Sequence, residues 1–387
     1  TGKLSLQMKE YEVDAGSLEF ALSWKKYYGF KSIDGAQLDL MEDSENAYID
    51  GTAEAQSDVT KQIMMRTSAG LLSRYPVTGP LFRLAASSAV STLTISPLYK
   101  SDLTKIEVGM YLSFDSVAVS SSSAVVRKVD SIDRNAGTFT ITPDATGIQD
   151  SDYVSAYGDQ SATLSSTVSG NLMPSVFAWC PIPSAVATRA LMTGDAYVFG
   201  CTRTPDMDRL CGWYYYGAAE TSREEVLIKA LARGTRINGA RPDRIVMNDV
   251  DLAALVIESQ GRMAIVQDLI KARNSEGPIA QIGFSGIRMA TGQGVVDVFA
   301  DRDMPLGVAF AYPQDTLQLE AVNKEFPYID DRGGGLWKHV EVRTTSGSVD
   351  VDLNLDRFQM VGKGYCTFKI TEPQQCGVIV LPTVSTY

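Results

Sequence analysis

The chain has 387 residues, a formal net charge of −11, and 44% hydrophobic against 21% charged residues. This length suggests two or three domains. The acidic balance argues against a broad electrostatic grip on nucleic acid, and no apolar run reaches the ~18–20 residues that span a bilayer.

Residues 3–13 (KLSLQMKEYEV) and 18–30 (LEFALSWKKYYGF) flank Asp14-Ala15-Gly16-Ser17. Two extended runs around a Gly-containing turn predict a β-hairpin. Its apolar positions alternate at Leu4, Leu6, Met8 and at Leu18, Phe20, Leu22, Trp24. A hairpin is marginal alone, so this one needs a neighbour to lie on. The first residue is Thr1, which implies loss of an initiator Met or a longer leader.

Asp34–Tyr75 carries apolar or small residues at helical spacing: Leu38, Met41, Tyr48, Thr52, Ala55, Val59 and Ile63. Asp34 is the expected cap, acidic residues crowd the early turns, and Lys61, Arg66 and Arg74 follow. The spacing predicts a helix of roughly 60 Å, stopped by Pro76. Gly51 and Gly70 each weaken it by about 1 kcal/mol and mark places for a bend. The stripe of small residues predicts packing on a sheet.

Residues 82–160 turn to Ser, Thr and Val. Leu93–Ile95, Tyr111–Phe114, Val125–Ile132 and Thr138–Ile141 read as strands, with Arg134–Gly137 as a turn and Ser120–Ser123 as a loop tip. Together they predict a small inserted β-barrel or sandwich. Residues 171–220 read as irregular. Thr221-Ser222-Arg223-Glu224 opens a helix with a capping-box pattern, running to Gly234. A short buried strand, 242–247, leads to Asn248, the expected cap of a helix over Val250–Ser259. Strands are then expected at Ile287–Ala290, Val295–Ala300, Val308–Ala311, Leu317–Glu320, Trp337–Thr344, Val349–Leu355, Tyr365–Ile370 and Gly377–Leu381. No internal repeat is found.

Catalytic patterns are missing. The one histidine, His339, lies in an alternating strand, so every His-dependent triad or dyad would have to use it. The five cysteines, Cys180, Cys201, Cys211, Cys366 and Cys376, form no CxxC pair, which favours buried thiols in a reducing cytosol over zinc ligands or a disulfide framework. Gly362-Lys363-Gly364 lacks the phosphate-loop frame. Asp350, Asp352, Asn354 and Asp356 would share a strand face, but a calcium loop would need a turn Gly and a bidentate Glu that are not there. Tyr214–Tyr216 beside Trp213 reads as a protein contact or local core before a sugar platform. No catalytic, cofactor or metal residue is assigned. The chain reads as a building block, not an enzyme.

The order AYVFGCTRTPDMDRLCGWYYYG, a helix, GARPDRIVMNDVDLAALVIES, IGFSGIRM…GVVDVFADRDMPLGVAFAYPQDTLQL and LDRFQMVGKGYCTFKITEPQQCGVIVLP resembles the major capsid proteins of tailed double-stranded DNA bacteriophages of the Hong Kong 97 (HK97) type. The stretch VGM…VDSIDRNAGTFTITP…GD resembles the β-rich module inserted in one subgroup. The resemblance implies an α+β HK97-like capsid fold. It would have an E-loop hairpin (1–33), a spine helix of the P-domain (34–81), an inserted β domain (82–160), an A-domain with parts of the P-domain (161–345) and a C-terminal return (346–387). It also implies pentamers and hexamers closing into an icosahedral virion head assembled in the host cytoplasm. Expected partners are further copies of the chain, a portal protein, scaffold, maturation protease, cement or decoration proteins, and packaged double-stranded DNA held without sequence specificity; no membrane is expected. Some relatives crosslink through Lys and Asn, for which Lys9 is the obvious candidate here. The alternatives are an encapsulin-type compartment shell and a glycan-binding virion surface protein.

Overall fold

In a computed structural model of the chain, the described residues are 24–34, 45–74, 81–87, 92–95, 102–115, 125–142, 147–150, 152–156, 174–183, 197–198, 201–203, 207–259, 286–291, 294–322, 326–329, 336–339, 342–346, 349–353 and 357–382. The elements begin with β1 (Lys25–Asp34) and α1 (Glu45–Leu71). Six strands follow: β2 (Phe82–Ser87), β3 (Thr92–Ile95), β4 (Tyr111–Asp115), β5 (Val125–Asp133), β6 (Thr138–Thr142) and β7 (Tyr153–Ala156). Then come α2 (Val176–Trp179), β8 (Tyr197–Val198), β9 (Cys201–Thr202), α3 (Met207–Leu210), β10 (Trp213–Tyr216), α4 (Arg223–Asn238), β11 (Arg244–Met247) and α5 (Asp249–Ser259). The chain continues through β12 (Gly286–Thr291), β13 (Gly294–Ala300), β14 (Val308–Tyr312), β15 (Leu317–Ala321), β16 (Tyr328–Ile329) and β17 (Lys338–His339). It ends with β18 (Val342–Ser346), β19 (Val349–Leu353), β20 (Arg357–Ile370) and β21 (Gly377–Val380).

β1 pairs antiparallel with β20 along all ten residues, from Lys25 opposite Cys366 to Asp34 opposite Arg357. Two expectations are corrected here. Asp34 ends a strand and does not cap the helix, because the two-residue alternation of β1 runs on through Ile33. The second arm of the predicted hairpin also finds its backbone partners inside its own subunit; residues 1–23, with Lys9, lie outside the described residues. The helix begins at Glu45 and runs 27 residues, about 40 Å, and it passes through Gly51 and Gly70 without interruption.

α1 lies on the sheet through the small-residue stripe. Thr52, Ala55, Val59, Ile63 and Thr67 are buried. Gly29 and Gly362 face each other across the β1–β20 ladder beneath Val59. A Cβ on Gly362 would stand 2.3 Å from Val59 Cγ1, and one on Gly29 2.8 Å from the Val59 carbonyl oxygen. The glycine pair therefore sets how closely the helix backbone approaches the strands.

β15, β16 and β17 take the other edge of β20. β18 and β19 pair with each other, so the described parts of the strand expected over 337–344 have different partners, β17 pairing with β20 and β18 with β19, and the described part of the one expected over 349–355 lies outside the main sheet. A second, mixed sheet runs β10-β21-β14-β11-β13-β12. One core joins the two sheets: Tyr27, Val59, Ile63, Phe177, Trp179, Phe310, Phe368 and Val378 share it. The fully buried Arg203 closes α2 by donating from Nη1 to the carbonyls of Ala178 and Trp179 at 2.7 and 3.0 Å. On the other face of the mixed sheet, Trp213, Val226, Leu227, Leu231, Ile245 and Leu255 form a separate core under α4 and α5.

Ser222 takes the extended N-cap conformation of α4 without a side-chain cap bond. Glu258 of α5 supplies the cap, accepting from the Arg223 backbone N–H at 2.7 Å. Asn248 does cap α5, its Oδ1 accepting from Val250 N at 3.1 Å.

β2 to β7 close into a barrel in the order β2-β3-β6-β5-β4-β7. Phe82, Leu84, Leu93, Leu112, Phe114, Val129, Phe139 and Ile141 fill it, with the Phe82 and Phe139 rings edge to face at 5.9 Å. β2 and β7, absent from the sequence reading, are the two strands that close the barrel onto each other.

Candidate assembly surface

The sheet under α1 is covered on one face. Odd-numbered β1 residues, Tyr27 and Gly29 among them, turn toward the helix and even-numbered ones turn away. Trp24, Tyr28 and Phe30 are left 49%, 47% and 58% exposed. They continue the parity of Leu18, Phe20 and Leu22, the positions that the sequence marks as the apolar face.

The register extends this patch onto β20: Tyr28 lies beside Lys363 and Phe30 beside Val361. Tyr28 hydrogen-bonds Tyr365, which, with some desolvation, holds its hydroxyl above the ordinary tyrosine range. Tyr328 approaches Tyr365 with ring centroids 6.4 Å apart. The result is a continuous aromatic face bearing lysine ammonium groups. Apolar patches of this kind on a soluble surface mark contacts with other macromolecules.

The helix layer is fixed to the strand from the side. Lys31 Nζ meets Asp58 Oδ2 at 2.8 Å, and Phe30 N donates to Gln62 Oε1 at 3.3 Å. On its outer side α1 exposes Met64 and Met65, flexible side chains suited to an adaptable contact. One helix on one sheet thus makes a plate two layers thick with apolar groups on both outer faces.

Among the described residues no group of three or more His, Cys, Asp or Glu side chains is placed to hold a metal ion. His339 belongs to β17, opposite Phe358 of β20, and its side chain lies outside the described residues. Asp350 and Asp352 sit on β19 opposite Thr345 and Arg343; Asn354 and Asp356 lie outside the described residues. Cys180, Cys211, Cys366 and Cys376 are buried, and burial pushes the Cys366 and Cys376 thiols up to about 12. Tyr214–Tyr216 form β10, the end strand of the mixed sheet, with the Arg233 guanidinium over the Tyr214 ring at 5.1 Å and the Tyr215 hydroxyl donating to Glu220.

The aromatic outer face of β1 was missed as a site. Its signal was in the sequence: aromatic residues at 24, 28 and 30, all of one parity, outside any run that could bury them on a second sheet.

No family model and no curated protein matches the chain. Its neighbours among solved structures are phage capsid proteins and procapsids, with encapsulins beside them. A satellite phage P4 procapsid structure is matched over 97% of this chain and 78% of that one, at 9% identity and a TM-score of 0.37. A cyanophage A-1(L) capsid structure is matched over 56% and 62%, at 14% identity and a TM-score of 0.35. The encapsulin of the SrpI complex from Synechococcus elongatus is matched over 45% and 54%, at 13% identity and a TM-score of 0.27. The chain spans about half the length of the Phage G major capsid chain it matches.

Proposed function

We propose that this chain is the major capsid protein of a tailed double-stranded DNA bacteriophage, assembling through pentamers and hexamers into an icosahedral head. The observation that carries this reading is the plate of α1 on the β1–β20 sheet with its aromatic outer face open. Among the described residues Trp24, Tyr28 and Phe30 stay about half exposed; in this reading a neighbouring chain lies on them, and many such contacts closing together make a stable shell from modest pairs.

In this reading residues 1–33 are the E-loop, α1 is the spine of the P-domain, and the barrel of 82–156 is an inserted module that decorates or braces the shell. The mixed sheet belongs to the A-domain, and the C-terminal strands return to both sheets. The acidic charge lets the shell enclose DNA without adhering to it. Portal, scaffold, protease and decoration proteins are the further partners of this reading.

Electron microscopy of the purified protein tests it. Closed particles containing nuclease-protected DNA support the phage head. Closed particles with a co-purifying enzyme point to an encapsulin-type compartment, and a chain that stays monomeric under all assembly conditions rejects both.

A further inference from the structure

The mixed sheet ends at β10 on one side and at β12 on the other. α4 packs at the β10 end and α5 near β13, beside the β12 end. The two helices present complementary outer faces.

α4 exposes Ile228 and Ile237 among basic residues. Tyr215, Lys229, Ala232, Arg233, Arg236 and Ile237 line an open groove of about 530 Å³. Lys229 is already matched, with Glu225 at 2.8 Å and Glu220 at 3.1 Å. The arginines are not. Arg233 stacks on Tyr214 while its Nε is buried without a hydrogen-bond partner. Arg236 is exposed and makes no ion pair among the described residues. A carboxylate flanked by aliphatic surface fits such a groove.

α5 carries that chemistry. Asp249, Ala253 and Ile257 are exposed on it at i, i+4 and i+8 of one helix face, with Val250 exposed beside them. Ile257 is 57% exposed, and Asp249 makes no ion pair among the described residues.

We propose that the α4 groove of one subunit receives the α5 face of a second copy, Arg233 and Arg236 meeting Asp249 while Ile237 meets Val250. Setting α4 against α4 would oppose like charges. A contact between two different faces of the chain is heterologous, the kind that closes rings. This rests on the shell reading and names the faces that meet within a ring.

The test uses the full-length chain with Arg236→Glu, Asp249→Lys and both together, followed by sedimentation velocity over a concentration series and by electron microscopy. Far-UV circular dichroism checks the fold, and Arg236→Gln serves where the charge reversal disturbs it. Each single change is expected to raise the concentration for half-association at least ~10-fold, and the double change to bring it back to within about 3-fold of the wild type. Single variants that associate like wild type, or a double variant no better than the singles, overturn the contact. Shells that form normally from Arg236→Glu overturn it and leave the shell reading standing. Wild-type rings that never close into shells, yet respond to the charge swap, do the reverse. A wild-type chain that sediments as a monomer throughout overturns both.

Discussion

Gly362 lies where one side chain decides a packing distance. A valine there would drive its Cβ into Val59 and force α1 off the sheet. Gly362→Val is expected to cost about 1–3 kcal/mol, the usual range for overpacking, read as a lower urea midpoint. Arg223 is a second such point. It meets Glu258 through Nη1, stands 3.6 Å from Asp251 through Nε and donates from Nη2 to the Pro382 carbonyl at 3.1 Å. Arg223→Met would strand the buried Asp251 carboxylate and is expected to cost about 3–5 kcal/mol in the same measurement. Asp102 sets a pH dependence. Its ion pair with Lys105 is buried at 2.8 Å, and burial raises its carboxyl while Lys105 and Arg74 pull it back and Asp303 pushes it up. A carboxyl with a raised folded pKa binds its proton more tightly in the native chain than in the unfolded one. Its contribution is full below the unfolded value and is lost as the pH climbs through the folded value. Asp102→Asn should flatten that fall in urea midpoints taken from acidic to neutral pH, with Asp251 and Asp301, also raised by burial, keeping the remainder.

At the scale of elements, β1 separates folding from assembly. Tyr28→Ser with Phe30→Ser removes apolar surface that the subunit leaves in solvent. Monomer stability is expected to change by no more than about 0.5 kcal/mol, while the yield of assembled particles falls sharply; an equal loss of both would place these rings in the fold instead. The same strand shows what the sequence could reveal. Its two-residue alternation was legible, and so was the small-residue stripe of α1 with Val59 and Ile63 at its centre. The boundary between them was not. Asp34 has the chemistry of a helix cap, but its pairing with Arg357 depends on a strand more than 300 positions away. The four barrel strands with strong alternation were readable. β2 and β7 were not, because they are defined by each other, Phe82 opposite Val154. The α4 cap differs from the sequence pattern for a similar reason: Thr221-Ser222-Arg223-Glu224 gives the local pattern, but Glu258 arrives from α5 to do the capping.

For the whole molecule, the late strands β20 and β21 are interior strands, β20 between β1 and β15 and β21 between β10 and β14, so each is held by strands that precede it in the sequence. The aromatic face of β1 could be read from the sequence only as an alternation, since its exposure follows from which side α1 covers. The most direct measurement of the central claim is cryo-electron microscopy of the purified full-length chain under assembly conditions. The account predicts closed shells in which Trp24, Tyr28 and Phe30 of each subunit lie against a neighbouring chain. Monomers with those rings in solvent, or shells that leave them bare, would contradict it.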